Sequence, residues 1–496
     1  MPIAPKLDAQ TATARLAEAT PPYTPQEAVI EASRCLFCFD APCIQACPTG
    51  IDIPSFIKKI TTGNLTGSAR TILSANILGA SCARVCPTEV LCEGACVVLD
   101  LEGDPVKIGR LQRHATDFVA QQHLRVLSAP AAKSGKRVAV IGGGPAGLGC
   151  AAELAQLGHQ VVVFEKKPQA GGLNTYGIAY YKMKPEVSLA EVELIQSLGV
   201  EFRCGVEVGQ DLPFAPLEKE FDAIFLGVGL GASTRLGVPG EDLPEVLEAL
   251  DFIEQIHTRP LHEVPVGERV AVIGCGNTAI DAVTQARRLG AARAVIIYRR
   301  GEEDMSAYDF EYKLAKNDGA IFYFHTVPLE VLADEAGHVR ALRLARTKTT
   351  AAGAEIIPGS EFTEPFDMVI KAVGQHTQAD ALRKMLPKLE TDRRGAIQYD
   401  RATGQTNLPR LFAGGDCANG GREVVNAVAE GKKAARGIHA LFTGQKLTGP
   451  VQPSRHGVPG GAVGSGFDAP IRVRELEAPL AKAPRPDGPS HQWHPA

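Results

Sequence analysis

Eight of the twelve cysteines lie between Cys35 and Cys96, in two runs. The first is Cys35-x2-Cys38-x4-Cys43-x3-Cys47-Pro48; the second is Cys82-x3-Cys86-Pro87-x4-Cys92-x3-Cys96. A cubane iron–sulfur cluster needs four soft ligands at the corners of a tetrahedron, and short loops let thiolates converge on it without strain. A Cys-Pro ending is common in ferredoxin-like runs whose last cysteine ligates the other cluster. The spacing suits two [4Fe–4S] clusters. Structural zinc is the competing reading, but zinc sites favour repeated C-x2-C pairs, and only Cys35/Cys38 has that spacing. Cys150, Cys204, Cys275 and Cys417 stand singly, offer no C-x-x-C pair for dithiol chemistry, and read as small core hydrophobes.

A second chemistry is written in glycine. Gly142, Gly144 and Gly147 fit G-x-G-x-x-G, with Pro145 and Ala146 inside it, directly after the apolar run VAVI. Such a turn brings the backbone close to a pyrophosphate at the positive end of a helix. Glu165 ends the next apolar run, 18 residues after Gly147, where an acid accepts ribose hydroxyls. Gly274, Gly276 and Ala279, enclosing Asn277 and Thr278, form a second such turn. Its following strand, AVIIY, ends in Arg299 and Arg300 instead of an acid. Guanidinium groups there suit the 2′-phosphate of NADPH, a carboxylate would suit NADH, and a solvated basic strand end is the alternative. A third segment, LFAGGDCANGGREVVNAVAEGKKAA, places Gly415 and Asp416 in a loop before a helix whose buried side carries Val424, Val425 and Val428. Gly172 and Leu173 complete the candidate cofactor-binding residues.

These residues need elements to hold them. With 496 residues, 45% of them apolar, the chain is long enough for about three domains with real cores. A formal charge of −4 gives no electrostatic case for nucleic acid or an anionic membrane. No run of about 18 apolar residues exists, and the start lacks the apolar stretch of a secretory signal, so a cytoplasmic protein is expected. Residues 1–130 read as short helices around cysteine loops. Thr24-Pro25-Gln26-Glu27 is a capping box, Asp52 or Pro54 opens a helix, and residues 108–123 place Ile108, Leu111, Ala115 and Phe118 on one helical face. From Arg137 the pattern becomes strand, glycine turn, helix, strand, and it recurs about 130 residues later from Glu268. The expected fold is α/β: a helical cluster domain, then two Rossmann-like nucleotide domains. Residues from about 446 are rich in proline and glycine and read as an extended or disordered tail.

Over about residues 25–440 these motifs resemble one family. It comprises the flavin and iron–sulfur subunit of bacterial dihydropyrimidine dehydrogenase, the N-terminal half of the single-chain enzyme, and the small subunit of glutamate synthase. The resemblance implies that GGGPAG with Glu165 binds FAD, that GCGNTAID binds NAD(P)H, and that Asp416 meets the flavin. It also implies an FAD domain (136–255 and 365–445) interrupted by an NAD(P)H domain (256–364). The family has GGGNTA where this chain carries Cys275. By resemblance, Cys35, Cys38, Cys43 and Cys96 hold one cluster, and Cys47, Cys86, Cys92 and Gln112 hold the other. The pyrimidine enzymes use a glutamine from an IGxLQ helix at the last position and glutamate synthases a glutamate; this chain reads Ile108-Gly109-Arg110-Leu111-Gln112. Cys82 is then left over, although spacing alone would choose it, and Gln112 taken by itself reads as a helix-surface residue. The phrase MSAYDFEYKLAKNDGA, from Met305, also resembles the pyrimidine subunit more than glutamate synthase.

The implied chemistry is carried by cofactors. A nicotinamide gives a hydride to the flavin, and clusters take electrons one at a time, so the flavin splits the pair. No acid–base side chain is demanded. No segment resembles an FMN barrel, and no ferredoxin-like run follows Cys96. The expected partner is therefore an FMN/iron–sulfur subunit that reduces uracil or thymine, in a heterotetramer. A glutamate synthase small subunit and a non-catalytic iron–sulfur redox scaffold are the alternatives.

Overall fold

A computed structural model describes residues 6–350 and 353–445. The expected tail lies outside the described residues. The N-terminal part is helical. Thr24 caps the helix Pro25–Ser33, with the reciprocal Thr24–Glu27 capping box in place. Asp52 caps Ile53–Thr61 by accepting from the Ser55 amide. The helices Ile53–Thr61, Leu65–Ala75 and Ile108–Gln121 bury Phe56, Ile57, Ile72 and Leu111 in one core, against which the half-buried Cys35, Cys43, Cys47, Cys92 and Cys96 pack. The thiols thus sit between the core and the loops.

Two five-stranded parallel sheets follow. The first runs, edge to edge, Leu411–Ala413, Ala223–Leu226, Arg137–Ile141, Gln160–Glu165 and Glu201–Cys204. The second runs Val246–Glu248, Met368–Lys371, Arg269–Ile273, Arg293–Ile297 and Ile321–Tyr323. Near-continuous apolar strands such as VAVI are what a sheet covered on both faces requires. A four-stranded antiparallel sheet, built around the long strand Val339–Thr350, lies between the last two segments of the second sheet in the chain.

Sheet membership corrects the expected divisions at 255/256 and 364/365. Val246–Glu248 and Met368–Lys371 both pair into the second sheet, and Phe252 and Ile256 pack in its core. The crossings between the two nucleotide domains therefore fall before residue 246 and after residue 371. Three- and four-residue strands carry too little periodicity to reveal which sheet they join.

Candidate cofactor sites

The eight clustered cysteines line two separate cavities. Cys35, Cys38, Cys43 and Cys96 surround the first, with Ile53, Ile57 and Val106 as apolar walls. Cys47, Cys82, Cys86 and Cys92 surround the second, together with Gln112 and Asn76. Burial pushes the Cys35 thiol up to about 11 and the Cys43 thiol up to about 12. Cys86 is raised first by its hydrogen bond with Cys82 and then by burial. Thiols held neutral in this way become thiolates only when a positive centre enters beside them. Among the described residues, no three His, Cys, Asp or Glu side chains gather closely enough for a single metal ion. The eight thiols are instead divided four and four between two small cavities.

Gln112 is not a surface residue. It is 6% exposed, and its Nε2 donates to the Gly79 carbonyl at 2.7 Å, which leaves Oε1 as the free donor atom of the amide. Cys82, at 3% exposure, lines the same cavity. Five candidate donors therefore meet at four cluster corners.

A cavity of about 740 Å³ runs over the C-terminal ends of the first sheet. Its floor is the turn Gly142–Gly147. Gly142 has φ +101°, and a Cβ there would meet the Gly227 carbonyl oxygen at 2.3 Å; a Cβ on Gly147 would stand 1.9 Å from the Gly142 oxygen. Only glycine allows this turn and this helix approach. Gly144, Pro145, Ala146, Gly172 and Leu173 line the cavity, and Glu165 closes one end. The Glu165 carboxylate accepts from the Gly143 and Lys167 amides at 2.7 and 2.8 Å. Gly415 and Asp416 line the far end, where Asp416 accepts from the Arg422 amide at 3.2 Å and burial raises its carboxyl. Asn174, fully buried, faces this cavity with neither amide atom partnered. Sequence reading missed it. An unpaired buried amide costs about 1–3 kcal/mol, a cost that a polar ligand in this cavity would offset.

The flavin-sized cavity and the second thiol cavity are neighbours. Val85 and Val424 line the former; Cys86 and Val425 line the latter. Two tethers hold the helical domain in this position. Glu191 accepts from the Ala80 and Ser81 amides at 2.7 and 3.0 Å and also bonds the Ser81 hydroxyl. Lys432 donates to the Ala75 carbonyl at 2.6 Å. Neither was legible in sequence, because each partner lies more than 100 residues away.

In the second sheet, Gly276 caps the helix Asn277–Arg288, and Ala279 is buried beneath it. Thr278 is exposed, and Asn277 accepts from the Tyr308 amide at 3.0 Å. Tyr308 in turn donates to the Glu423 carboxylate at 2.7 Å, joining the two nucleotide domains at the mouth of the flavin-sized cavity. Arg299 is exposed and Arg300 half-buried, its guanidinium over the Tyr298 ring. Cys150, Cys275 and Cys417 are buried, as small hydrophobes would be, while Cys204 is half-buried.

Residues 12–124 match the family described as dihydropyrimidine dehydrogenase domain II, 4Fe-4S cluster, and residues 136–431 match the pyridine nucleotide-disulphide oxidoreductases. The chain belongs to the iron–sulfur members of the pyridine nucleotide-disulphide oxidoreductase family. It is 37% identical over 451 residues to the glutamate synthase [NADPH] small chain of Halomonas elongata, covering 87% of this chain and 94% of that protein. It is 35% identical over 431 residues to the NAD-dependent dihydropyrimidine dehydrogenase subunit PreT of Escherichia coli, covering 86% and 98%. Among solved structures, Mycobacterium tuberculosis FprA in complex with NADPH shares the fold at 20% identity and a TM-score of 0.52, over 69% of this chain and 90% of that one.

As a member of this family the chain is an oxidoreductase that uses FAD, [4Fe–4S] clusters and a nicotinamide nucleotide. The residues present fit these groups: two sets of four thiols, all half-buried but the buried Cys82, for clusters, and a glycine-floored cavity with an orphaned amide for the flavin. Among the described residues, no helix is long and apolar enough to cross a membrane.

Proposed function

We propose that this chain is the electron-input subunit of a dihydropyrimidine dehydrogenase, in which Gln112 is the eighth cluster ligand. The observation that carries the role is the order of the cavities. The flavin-sized cavity abuts the cavity of Cys47, Cys86 and Cys92, while the cavity of Cys35, Cys38, Cys43 and Cys96 is not among its neighbours. Leu36 lines that last cavity and is 54% exposed; Phe39, Ile30 and Leu101, at 48, 69 and 68%, are exposed in the same helical domain. Solvent-facing apolar side chains beside a redox site suit a protein partner.

The cofactors supply hydride acceptance and one-electron transfer; the protein's own residues position them. Glu165 and the Gly142–Gly147 turn anchor a dinucleotide, Asn174 and Asp416 face the flavin, and Arg299 and Arg300 offer charge to a 2′-phosphate. Cys35, Cys38, Cys43 and Cys96 hold one cluster, and Cys47, Cys86, Cys92 and Gln112 the other. The partner is an FMN/iron–sulfur subunit that reduces uracil or thymine.

A second reading, the small chain of a glutamate synthase, is favoured by the 37% identity to such chains. Reconstitution decides between them. Holoprotein mixed with the FMN subunit should oxidise NAD(P)H only when uracil or thymine is added. Turnover only with a glutamine-hydrolysing large subunit and 2-oxoglutarate would promote the second reading.

A further inference from the structure

Asn76 ends the helix Leu65–Ala75 and is wholly buried. Its Oδ1 accepts from the Leu78 amide at 3.0 Å, which fixes the orientation of the side-chain amide. Its Nδ2 has no hydrogen-bond partner, and the residue lines the cavity of Cys47, Cys86 and Cys92. A buried NH2 group without an acceptor costs about 1–3 kcal/mol. Beside the Gln112 amide oxygen and the Thr88 hydroxyl, the acceptors lining this cavity are the sulfurs of Cys47, Cys82, Cys86 and Cys92, to which a bound cluster would add its own. We infer that Asn76 donates an N–H···S hydrogen bond to the cluster held there and raises that cluster's reduction potential.

The physics is electrostatic. Reduction adds one negative charge to the cluster, so a donor aimed at its sulfur stabilises the reduced form more than the oxidised one. This cavity is the one beside the flavin-sized cavity, so the donor favours electron entry at the first step out of the flavin. Asn76 is thus a positioning residue acting through the cluster. The inference rests on this cavity holding a [4Fe–4S] cluster, and not on the identity of the partner.

The test uses reconstituted holoprotein in EPR-monitored redox titrations of wild type, Asn76→Ala and Asn76→Ser. Serine is too short to reach the cluster but retains an oxygen that can accept from the Leu78 amide, so it restores the turn without the donor. One of the two cluster potentials should fall in both variants, with the other cluster, the flavin potential and the iron content unchanged. Wild-type potentials in Asn76→Ala would overturn the inference. Recovery of the potential in Asn76→Ser would reassign Asn76 to the turn alone. Loss of iron from both variants would likewise overturn it, making the residue one of assembly. Iron and sulfide analysis of the wild type comes first, so a protein without clusters fails at that step and is told apart from a failed donor.

Discussion

Val424 and Val425 are adjacent in the chain and line different cavities, Val424 the flavin-sized one and Val425 the one ringed by Cys47, Cys86 and Cys92. The first turn of one helix is the wall between them. Val85 and Cys86 repeat the relationship from the other side. Val85, Val424 and Val425 make this wall apolar. With a flavin in one cavity and a cluster in the other, an electron leaving the flavin would meet this cluster first.

Separating the two cavities functionally is the first test. Cys43→Ser removes a ligand from the distal set only. It should leave bleaching of the flavin by NAD(P)H at the wild-type rate and reduce partner-dependent turnover to background. Slower flavin reduction in stopped-flow measurements would argue against this order of centres.

Cofactor content is the second. Two thiol rings and one flavin-sized cavity call for about eight irons, about eight sulfides and one FAD per chain after anaerobic purification. Stoichiometric zinc with little sulfide would reverse the assignment.

Gln112 and Cys82 compete for one cluster corner. If the glutamine oxygen is the ligand, Cys82→Ala keeps its full iron content, whereas Gln112→Leu loses or converts one cluster, seen as a changed EPR signal. The opposite pattern would make Cys82 the ligand.

Arg299 and Arg300 test nucleotide choice. Charge-assisted contacts to a 2′-phosphate contribute about 1.5–3 kcal/mol, which is about tenfold or more in affinity. Replacing both arginines with neutral residues should raise the KM for NADPH by that factor and leave the KM for NADH nearly unchanged. Equal effects would leave the pair as a solvated strand end.

Glu191 makes a pH prediction. Burial pushes its carboxyl up to about 7, opposed by the Ser81 and Ala80 hydrogen bonds and by Arg84. Its folded-state pKa lies above the unfolded one, so the unfolded chain gives up this proton first as pH rises. Its contribution to stability is therefore full below about pH 4.5 and is lost progressively up to about pH 7, by roughly 3 kcal/mol. Thermal melts of Glu191→Gln should show a smaller decline from pH 5 to 8 than the wild type. Parallel curves would show that the carboxyl does not titrate in this range.

The cysteine runs and the two glycine turns were legible because their chemistry is local: ligand spacing and turn geometry are written within a dozen residues. The sorting of Cys96 away from its neighbour Cys92 came from resemblance; in the structure Cys96 lines one thiol cavity and Cys92 the other. Asn76, Asn174, Glu191 and Lys432 were not legible. Each matters through a group brought to it by the fold, and an asparagine ending a helix looks the same in sequence whether its amide meets water or a cavity. The short strands Val246–Glu248 and Met368–Lys371 failed for a related reason: pairing with Arg269–Ile273, and not local pattern, decides their sheet.

The edge strand Leu411–Ala413 pairs with Ala223–Leu226, and between them in the chain lies the whole second sheet. A chain emerging from the ribosome therefore makes its dinucleotide turn early but cannot complete the flavin cavity until Gly415, Asp416 and the helix Val424–Thr443 have been synthesised. Contacts this distant in sequence form late. The cluster cavity beside it waits as well, because Val425 is part of its lining. Completion of both cavities thus waits for synthesis of residues 411–443, and a chain truncated before residue 411 should keep its distal thiol ring and fail to retain flavin.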